Sequence, residues 1–353
     1  MKNFKWVILK RIGVIVFINV LLILLLIIGT YQSEIRSLNK EEYPRTYQKN
    51  SKDASYYYKD DGSNSFNKGG GAVKLSNCLK KKVDLDNLPI DLQEDVKRLQ
   101  DLFNGDPDYV SFIYEDIYTG LVLEYNASVK VFTASSIKAP AIIYLYEQAS
   151  KGKISLNDNL MYTSNYYSPN GSGILKTKEF NTNYTIRELS DYVMKYSDNS
   201  AYAMLMDKIG RENIYNFWVS LGTKEIFKNN TIWGYMTGED AIVFMEELYN
   251  FYLNNNEYGD QVMTLFQNSG WKYITDKNYS YNTASKSGFA NGTINDVAIV
   301  FDENPYILAV FTTSGNNLEK TDVFFKEVSN LVGNFHSLYW QDKMDECSDI
   351  KQY

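Results

Sequence analysis

Residues Ile12–Gly29 form an apolar run of 18, interrupted only by Gly13 and Asn19. A helix of that length just spans the hydrocarbon core of a bilayer, and few other surroundings can take so many consecutive apolar side chains. Lys2, Lys5, Lys10 and Arg11 precede the run, which favours a cytoplasmic N-terminus with the rest of the chain outside. A cleaved export signal is the competing reading. The run is longer than the usual apolar signal core, however, and Gly29-Thr30-Tyr31-Gln32 lacks a small-x-small cleavage site. The expectation is therefore a cytoplasmic N-terminus over residues 1–11, a single-pass membrane anchor over 12–30, and an extracytoplasmic remainder.

Residues 31–87 are polar and poor in aliphatic side chains, with Tyr56-Tyr57-Tyr58, Asp60-Asp61-Gly62 and Gly69-Gly70-Gly71. Such a stretch buries too little apolar surface to offset its chain entropy, so it is predicted to be a flexible tether. The pattern changes near Asp91, where Leu92, Val96, Leu99 and Leu102 recur at helical spacing. Strand-like sequence follows at 110–114 and 121–125, joined by a turn at Tyr118-Thr119-Gly120. Helical segments are predicted at 136–150, 184–195, 200–209, 211–221 and 238–253. Two more strands at 297–301 and 307–312 precede a closing helix from Asp322 to Tyr339. This order predicts an α+β domain over 88–340 and a C-terminal tail over 341–353. Its antiparallel sheet draws strands from both ends and is flanked by helices, with a helical subdomain between them.

A net charge of −7 does not concentrate phosphates, so no nucleic acid is expected as a partner. The chain has one histidine, His336, which cannot build a multi-histidine metal site and is read as a partly buried helix residue. No metal or other cofactor is implied, and a general base must come from Lys, Glu, Asp or Tyr. Cys78 and Cys347 could pair in an oxidising compartment or remain two separate thiols.

Chemistry is concentrated in Val131-Phe-Thr-Ala-Ser135-Ser-Ile-Lys138-Ala-Pro140, at a predicted helix start. Residues three apart on a helix share a face, which sets the Ser135 hydroxyl beside the Lys138 amine. A serine needs such a base within reach, and a lysine can serve when burial or nearby positive charge depresses its pKa. The S-x-x-K pattern occurs six times in this chain and means little alone. The single Ser197-Asp198-Asn199 and the single Lys286-Ser287-Gly288 that follow it give it weight. Separately, the first reads as a helix N-cap and the second as a solvated strand end.

Together, in this order, the three motifs resemble the S-x-x-K, S-D-N and K-[TS]-G set of class A β-lactamases and penicillin-binding proteins. The likeness extends to Gly171-Ser-Gly-Ile-Leu175, Tyr184-Thr-Ile-Arg-Glu-Leu189, Phe289-Ala-Asn-Gly-Thr293 and Asn295-Asp-Val-Ala298, covering about 108 to 335. The resemblance implies a β-lactamase/transpeptidase-like fold and acyl-enzyme chemistry. Ser135 would attack the carbonyl, with Lys138 taking its proton. Ser197 would pass a proton to the leaving nitrogen, and Lys286 would add positive field. Asn199 and Ser287 would hold substrate. The backbone N–H groups of Ser135 and of Phe289, just after Gly288, would form the oxyanion hole.

Two departures from the family pattern shape the expected function. Class A enzymes place a deacylating glutamate in an E-x-x-L-N stretch on a long loop after S-D-N, but here only a short segment separates Gly222 from Tyr235. Glu225 imitates the motif yet comes too early, while Glu239 is read as part of a cap for the next helix. In addition, no arginine follows Arg211 to bind a substrate carboxylate. The expectation is a membrane-anchored serine hydrolase acting on D-Ala-D-Ala-type peptidoglycan stem peptides and acylated by β-lactams. The alternatives are a class A-type β-lactamase using Glu225 as an unconventional base, and a β-lactam or cell-wall sensor that is acylated without turning over.

Overall fold

The structure, a computed structural model, describes residues 54–59, 82, 84–85, 88–105, 109–223, 231–254, 256–290, 292–313 and 318–349. The expected anchor over 12–30 and the candidate base Glu225 lie outside the described residues. Among those described, no helix is long and apolar enough to cross a membrane.

Six strands make one antiparallel sheet. From one edge to the other they run Ser55–Tyr58 (β1), Leu121–Tyr125 (β3), Tyr109–Asp116 (β2), Tyr306–Thr313 (β10), Thr293–Val300 (β9) and Thr283–Ala290 (β8). The β2–β3 hairpin forms where expected. Gly120 closes it at φ 70°, and its N–H donates to Asp116 O at 2.9 Å. Only a residue without a Cβ takes that conformation freely.

Both faces of the sheet are covered. Phe112, Tyr114, Leu123, Leu308 and Val310 join one core with the helices Ile90–Gly105 (α1) and Leu318–Asp349 (α8). The helices Gly238–Asn254 (α6) and Asn256–Gln267 (α7) cover the opposite face, where Ile113, Val297, Ile299 and Phe311 are buried. Burying a side chain of this size stabilises the fold by about 1.5–3 kcal/mol.

The helical part is built round Lys138–Ser150 (α2), which is buried along nearly its whole length. Ile186–Lys195 (α3), Asn199–Ile209 (α4), Arg211–Ser220 (α5), α6 and α7 all pack against it. A helix walled in on every side carries no polar stripe. Two short ladders complete the domain: Val131–Phe132 (β4) with Tyr235–Met236 (β7), and Asn159–Tyr162 (β5) with Thr182–Thr185 (β6). The cap expected at the start of α6 is present but uses Asp240 rather than Glu239. Thr237 N–H donates to Asp240 Oδ2 at 2.9 Å, and Asp240 N–H returns to Thr237 Oγ1 at 3.0 Å.

Three expectations need correction. Within the expected tether of 31–87, Ser55–Tyr58 is the edge strand β1. Its aromatic side chains suit a strand, and the following Lys59 is held between two carboxylates, 2.5 Å from Glu115 Oε2 and 3.1 Å from Glu246 Oε1. The separate tail from 341 is absent as far as Asp349, because α8 continues through it with Trp340 and Lys343 buried and Cys347 disulfide-bonded. Finally, Lys286-Ser287-Gly288 lies inside a strand, β8, with Lys286 buried, rather than at a solvated strand end.

Candidate active site

The nucleophile sits in a 3-10 turn, Ala134–Ile137, between β4 and α2. In 3-10 geometry side chains three apart eclipse, which aligns Ser135 with Lys138. Ala134 enters the turn at φ 45°, a conformation costing on the order of 1–3 kcal/mol and sustained only by its surroundings. Those surroundings are explicit. Thr133 donates its N–H and its hydroxyl to Gly234 O, at 3.1 and 2.8 Å. Ser136 Oγ donates to Thr133 O at 2.7 Å, and Asn295 Nδ2 donates to Phe132 O at 2.8 Å.

Ser197-Asp198-Asn199 approaches from the start of α4. Asp198 is its N-cap, with Oδ1 accepting from Ala201 N–H at 3.0 Å. Its other oxygen, Oδ2, accepts from Ile174 and Leu175 N–H at 2.6 and 2.8 Å. The middle residue of the motif is thus the fastener that binds the 171–175 loop to α4. Ser197 at φ 50° and Asn199 turn toward Lys138.

Lys138 is fully buried, and its Nζ lies 3.0 Å from Ser135 Oγ, 3.1 Å from Ser197 Oγ, 2.6 Å from Ser197 O and 2.7 Å from Asn199 Oδ1. Burial, and then the charge of Lys286, push its pKa well below the ordinary lysine value, against a weaker pull from Asp198. The rings of Trp233 and Tyr202 lie 5.4 and 5.8 Å from the amine. Their attraction for an ammonium is worth about 0.5–2 kcal/mol, too little to reverse full burial. In its neutral form the amine could give N–H groups to Ser197 O and Asn199 Oδ1, its shortest contacts, and offer its lone pair to the Ser135 hydroxyl.

Lys286, also buried, donates to Ser197 Oγ at 3.2 Å and to Ser287 O at 2.8 Å. Burial lowers its pKa to about 8, opposed by Asp296. Asp296 is raised by burial to about 6, although Tyr273 and Ile274 N–H groups donate to it at 2.8 and 3.0 Å. The Ser197 hydroxyl therefore stands between two lysines. Ser287 Oγ donates to Trp271 O at 2.7 Å. Gly288 packs against the nucleophile turn, where an added Cβ would meet Ser135 N at 2.7 Å. Phe289 and Trp271 are exposed, at 49% and 67%.

The structure thus gathers Ser135, Lys138, Ser197, Asn199, Lys286, Ser287 and Gly288 into one cluster, with Phe289 next along β8. Trp233, Tyr202 and the buried Asp296 escaped sequence reasoning as parts of this site, because aromatic residues and a strand aspartate carry no spacing signal. His336 lies elsewhere, on α8, and is buried. Its Nε2–H donates to Asn304 O at 2.7 Å while Nδ1 accepts from Tyr114 O–H at 2.8 Å.

A model of the beta-lactamase enzyme family matches residues 95–336, a span containing every residue of the cluster. The chain belongs to that family. This beta-lactamase-family chain is 23% identical over 286 residues to a beta-lactamase of Bacillus licheniformis, covering 71% of this chain and 87% of the relative. It is similar to the structure of PBP-A with a TM-score of 0.63 and 18% identity, over 71% of this chain and 99% of that one. A mutant of PBP-A with the same match has been solved as an acyl-enzyme complex with penicillin G. A beta-lactamase from Sphaerobacter thermophilus gives a TM-score of 0.61 at 18% identity, over 73% of this chain and 98% of that one. These likenesses show the α+β β-lactamase/transpeptidase-like fold.

Proposed function

We propose that this family member is a serine hydrolase that forms an acyl-enzyme at Ser135 on D-Ala-D-Ala-type stem peptides of peptidoglycan. The apolar run over 12–30 would hold it at the outer face of the cell membrane. One observation carries the reading: the fully buried Lys138 amine, pushed toward neutrality, lies 3.0 Å from the Ser135 hydroxyl.

Ser135 gives its proton to Lys138 Nζ as Oγ bonds to the substrate carbonyl carbon. The backbone N–H groups of Ser135 and Phe289 steady the oxyanion, which the close approach of Gly288 to the Ser135 turn supports. The C–N bond then breaks. The leaving nitrogen takes the Ser197 proton, which Lys138 replaces, and the ester remains on Ser135. Lys286 holds the field positive at Ser197, and Ser287 exchanges its bond to Trp271 O for the substrate carboxylate. Among the described residues, no carboxylate is within hydrogen-bond distance of Ser135 or Lys138. The peptidase reading over a β-lactamase rests instead on the short segment between Gly222 and Tyr235, which leaves no room for the family's long deacylating loop, and over a sensor the reading requires that peptide esters be released.

The test is intact-mass analysis of the full chain mixed with penicillin and followed over time, with Ser135→Ala as control. A Ser135-dependent adduct lasting hours supports the reading, and release of D-alanine from a stem peptide then separates peptidase from sensor. An adduct that vanishes as penicillin is consumed favours the β-lactamase, and no adduct overturns acyl-enzyme formation with β-lactams.

A further inference from the structure

The Lys138 amine has two unlike kinds of neighbour. Oxygens of Ser135, Ser197 and Asn199 lie within hydrogen-bond distance of it, and the rings of Trp233 and Tyr202 have centroids 5.4 and 5.8 Å away. Both rings are pinned. They pack against each other with centroids 5.5 Å apart, and Tyr202 O–H donates to Ile232 O at 3.1 Å. Thr231 Oγ1 donates to Trp233 O at 2.7 Å and lies 3.1 Å from the Trp233 N–H that donates to it. The next carbonyl, Gly234 O, receives both Thr133 donors from the nucleophile's own turn. Trp233 is therefore held in fixed relation to Ser135 and is half-buried.

Releasing an ester from Ser135 requires a water near both the acyl carbon and a base. Water oxygen bonds to that carbon, the acyl–Oγ bond breaks, one water proton goes to the base, and Oγ regains a proton. Among the described residues, two groups at this centre could act: Lys138, against Ser135, and Ser197, backed by Lys286. A water at the aromatic side of Lys138 would face surfaces that offer it no strong hydrogen bond, which is costly inside a protein.

We propose that Trp233 closes the Lys138 side of the acyl-enzyme to water and leaves the Ser197–Lys286 side as the entrance for the acceptor. This rests on the acyl-enzyme reading above. Trp233 is then a positioning residue that sets which esters turn over. A linear peptide loses its amine, which vacates the Ser197 side and admits water. A β-lactam keeps its amine bonded to the acyl group, fills that side, and leaves a lasting ester.

The test follows penicilloyl-adduct formation and decay on the full chain by intact mass, for wild type, Trp233→Ala and Trp233→Phe. Trp233→Ala should release the adduct at least about tenfold faster, read as the decay of the adduct after acylation is complete so that any change in the acylation rate is measured separately. Its release should accelerate with pH as Lys138 becomes neutral and able to act as the base. Trp233→Phe, which keeps a ring, should restore slow release. Should Trp233→Ala fail to fold or acylate, Trp233→Leu serves, with an intermediate acceleration expected. Release at the wild-type rate from a folded, acylated Ala or Leu variant overturns the proposal and leaves the acyl-enzyme reading intact. A wild-type adduct released within seconds also overturns it, again sparing acyl-enzyme formation. No wild-type adduct at all overturns this proposal together with acyl-enzyme formation with β-lactams.

Discussion

Gly288 on β8 lies so close to Ser135 that a Cβ there would sit 2.7 Å from the Ser135 amide nitrogen. The same Cβ would meet Thr133 O at 2.5 Å. Both obstacles are backbone, so neither can swing aside, and strand and turn would have to separate. Gly288→Ala should therefore reduce the rate of acylation by penicillin by about 10²-fold or more, the loss expected when an oxyanion donor is displaced. Urea unfolding should change far less, because β8 is an edge strand free to shift. Acylation at the wild-type rate would show that the close approach is unnecessary.

Acylation should follow a bell-shaped pH profile. Lys138 must be neutral to accept the Ser135 proton, so the rate rises as pH passes its burial-lowered pKa. Lys286 must be charged to act on Ser197, so the rate falls as pH passes about 8. Asp296 holds the Lys286 value up, and Asp296→Asn should move the falling limb to lower pH. Rates of adduct formation from pH 5 to 10 decide this, and an unmoved falling limb would exclude Lys286 as its source.

Asp296→Asn also has a stability signature. Burial raises Asp296 from 3.8 to about 6. Its contribution is thus fully present below 3.8 and lost as pH rises through about 6. The variant, lacking that loss, should gain roughly 2–3 kcal/mol relative to wild type between pH 4 and pH 8. Chemical unfolding at the two pH values measures it, and a constant difference would contradict the assignment.

Lys59 joins β1 to the domain through Glu115, which is fully buried, and Glu246. Both carboxylates raise the Lys59 pKa and outweigh the lowering effect of burial. Lys59→Met would leave two carboxylates without their cation and should destabilise the fold at pH 8 by about 3–5 kcal/mol. The loss should shrink toward pH 5, because Glu115, already held well above the ordinary carboxylate range, takes up a proton. A pH-independent loss in urea melts would point to packing instead.

Asp198→Ala removes acceptors for the N–H groups of Ile174, Leu175 and Ala201. Bonds to a charged partner are worth about 1.5–3 kcal/mol each, so a loss of roughly 3–5 kcal/mol is expected after partial rewetting of the loop. Acylation should slow as well, since Ser197 would lose its restraint. Thermal unfolding and adduct kinetics together check both parts.

The sheet strands were legible at their centres but not at their limits. Leu121–Tyr125 was marked by apolar residues and a glycine turn, whereas Thr283–Ala290 contains Lys286, Ser287 and Gly288 and is a strand because β9 pairs with it. Alternation is weak in β2 and β9 because both faces of the sheet are buried. Ser55–Tyr58 looked like part of a tether because its neighbours are polar, and its strand state depends on β3 and on Lys59 reaching two distant glutamates.

By itself the sequence determined the local pairings. Ser135 and Lys138 align, and Ser197 and Asn199 flank a capping aspartate, because within one turn the backbone geometry dictates which side chains meet. The tertiary structure alone decided that Lys138 reaches Ser197 on another segment, that β8 delivers Lys286 and Gly288 to the nucleophile's surroundings, and that the Trp233 ring lies 5.4 Å from the amine. It also decided the lowered pKa of both lysines. Burial and long-range contact arise only when remote segments pack, and no spacing along the chain encodes the dielectric they create.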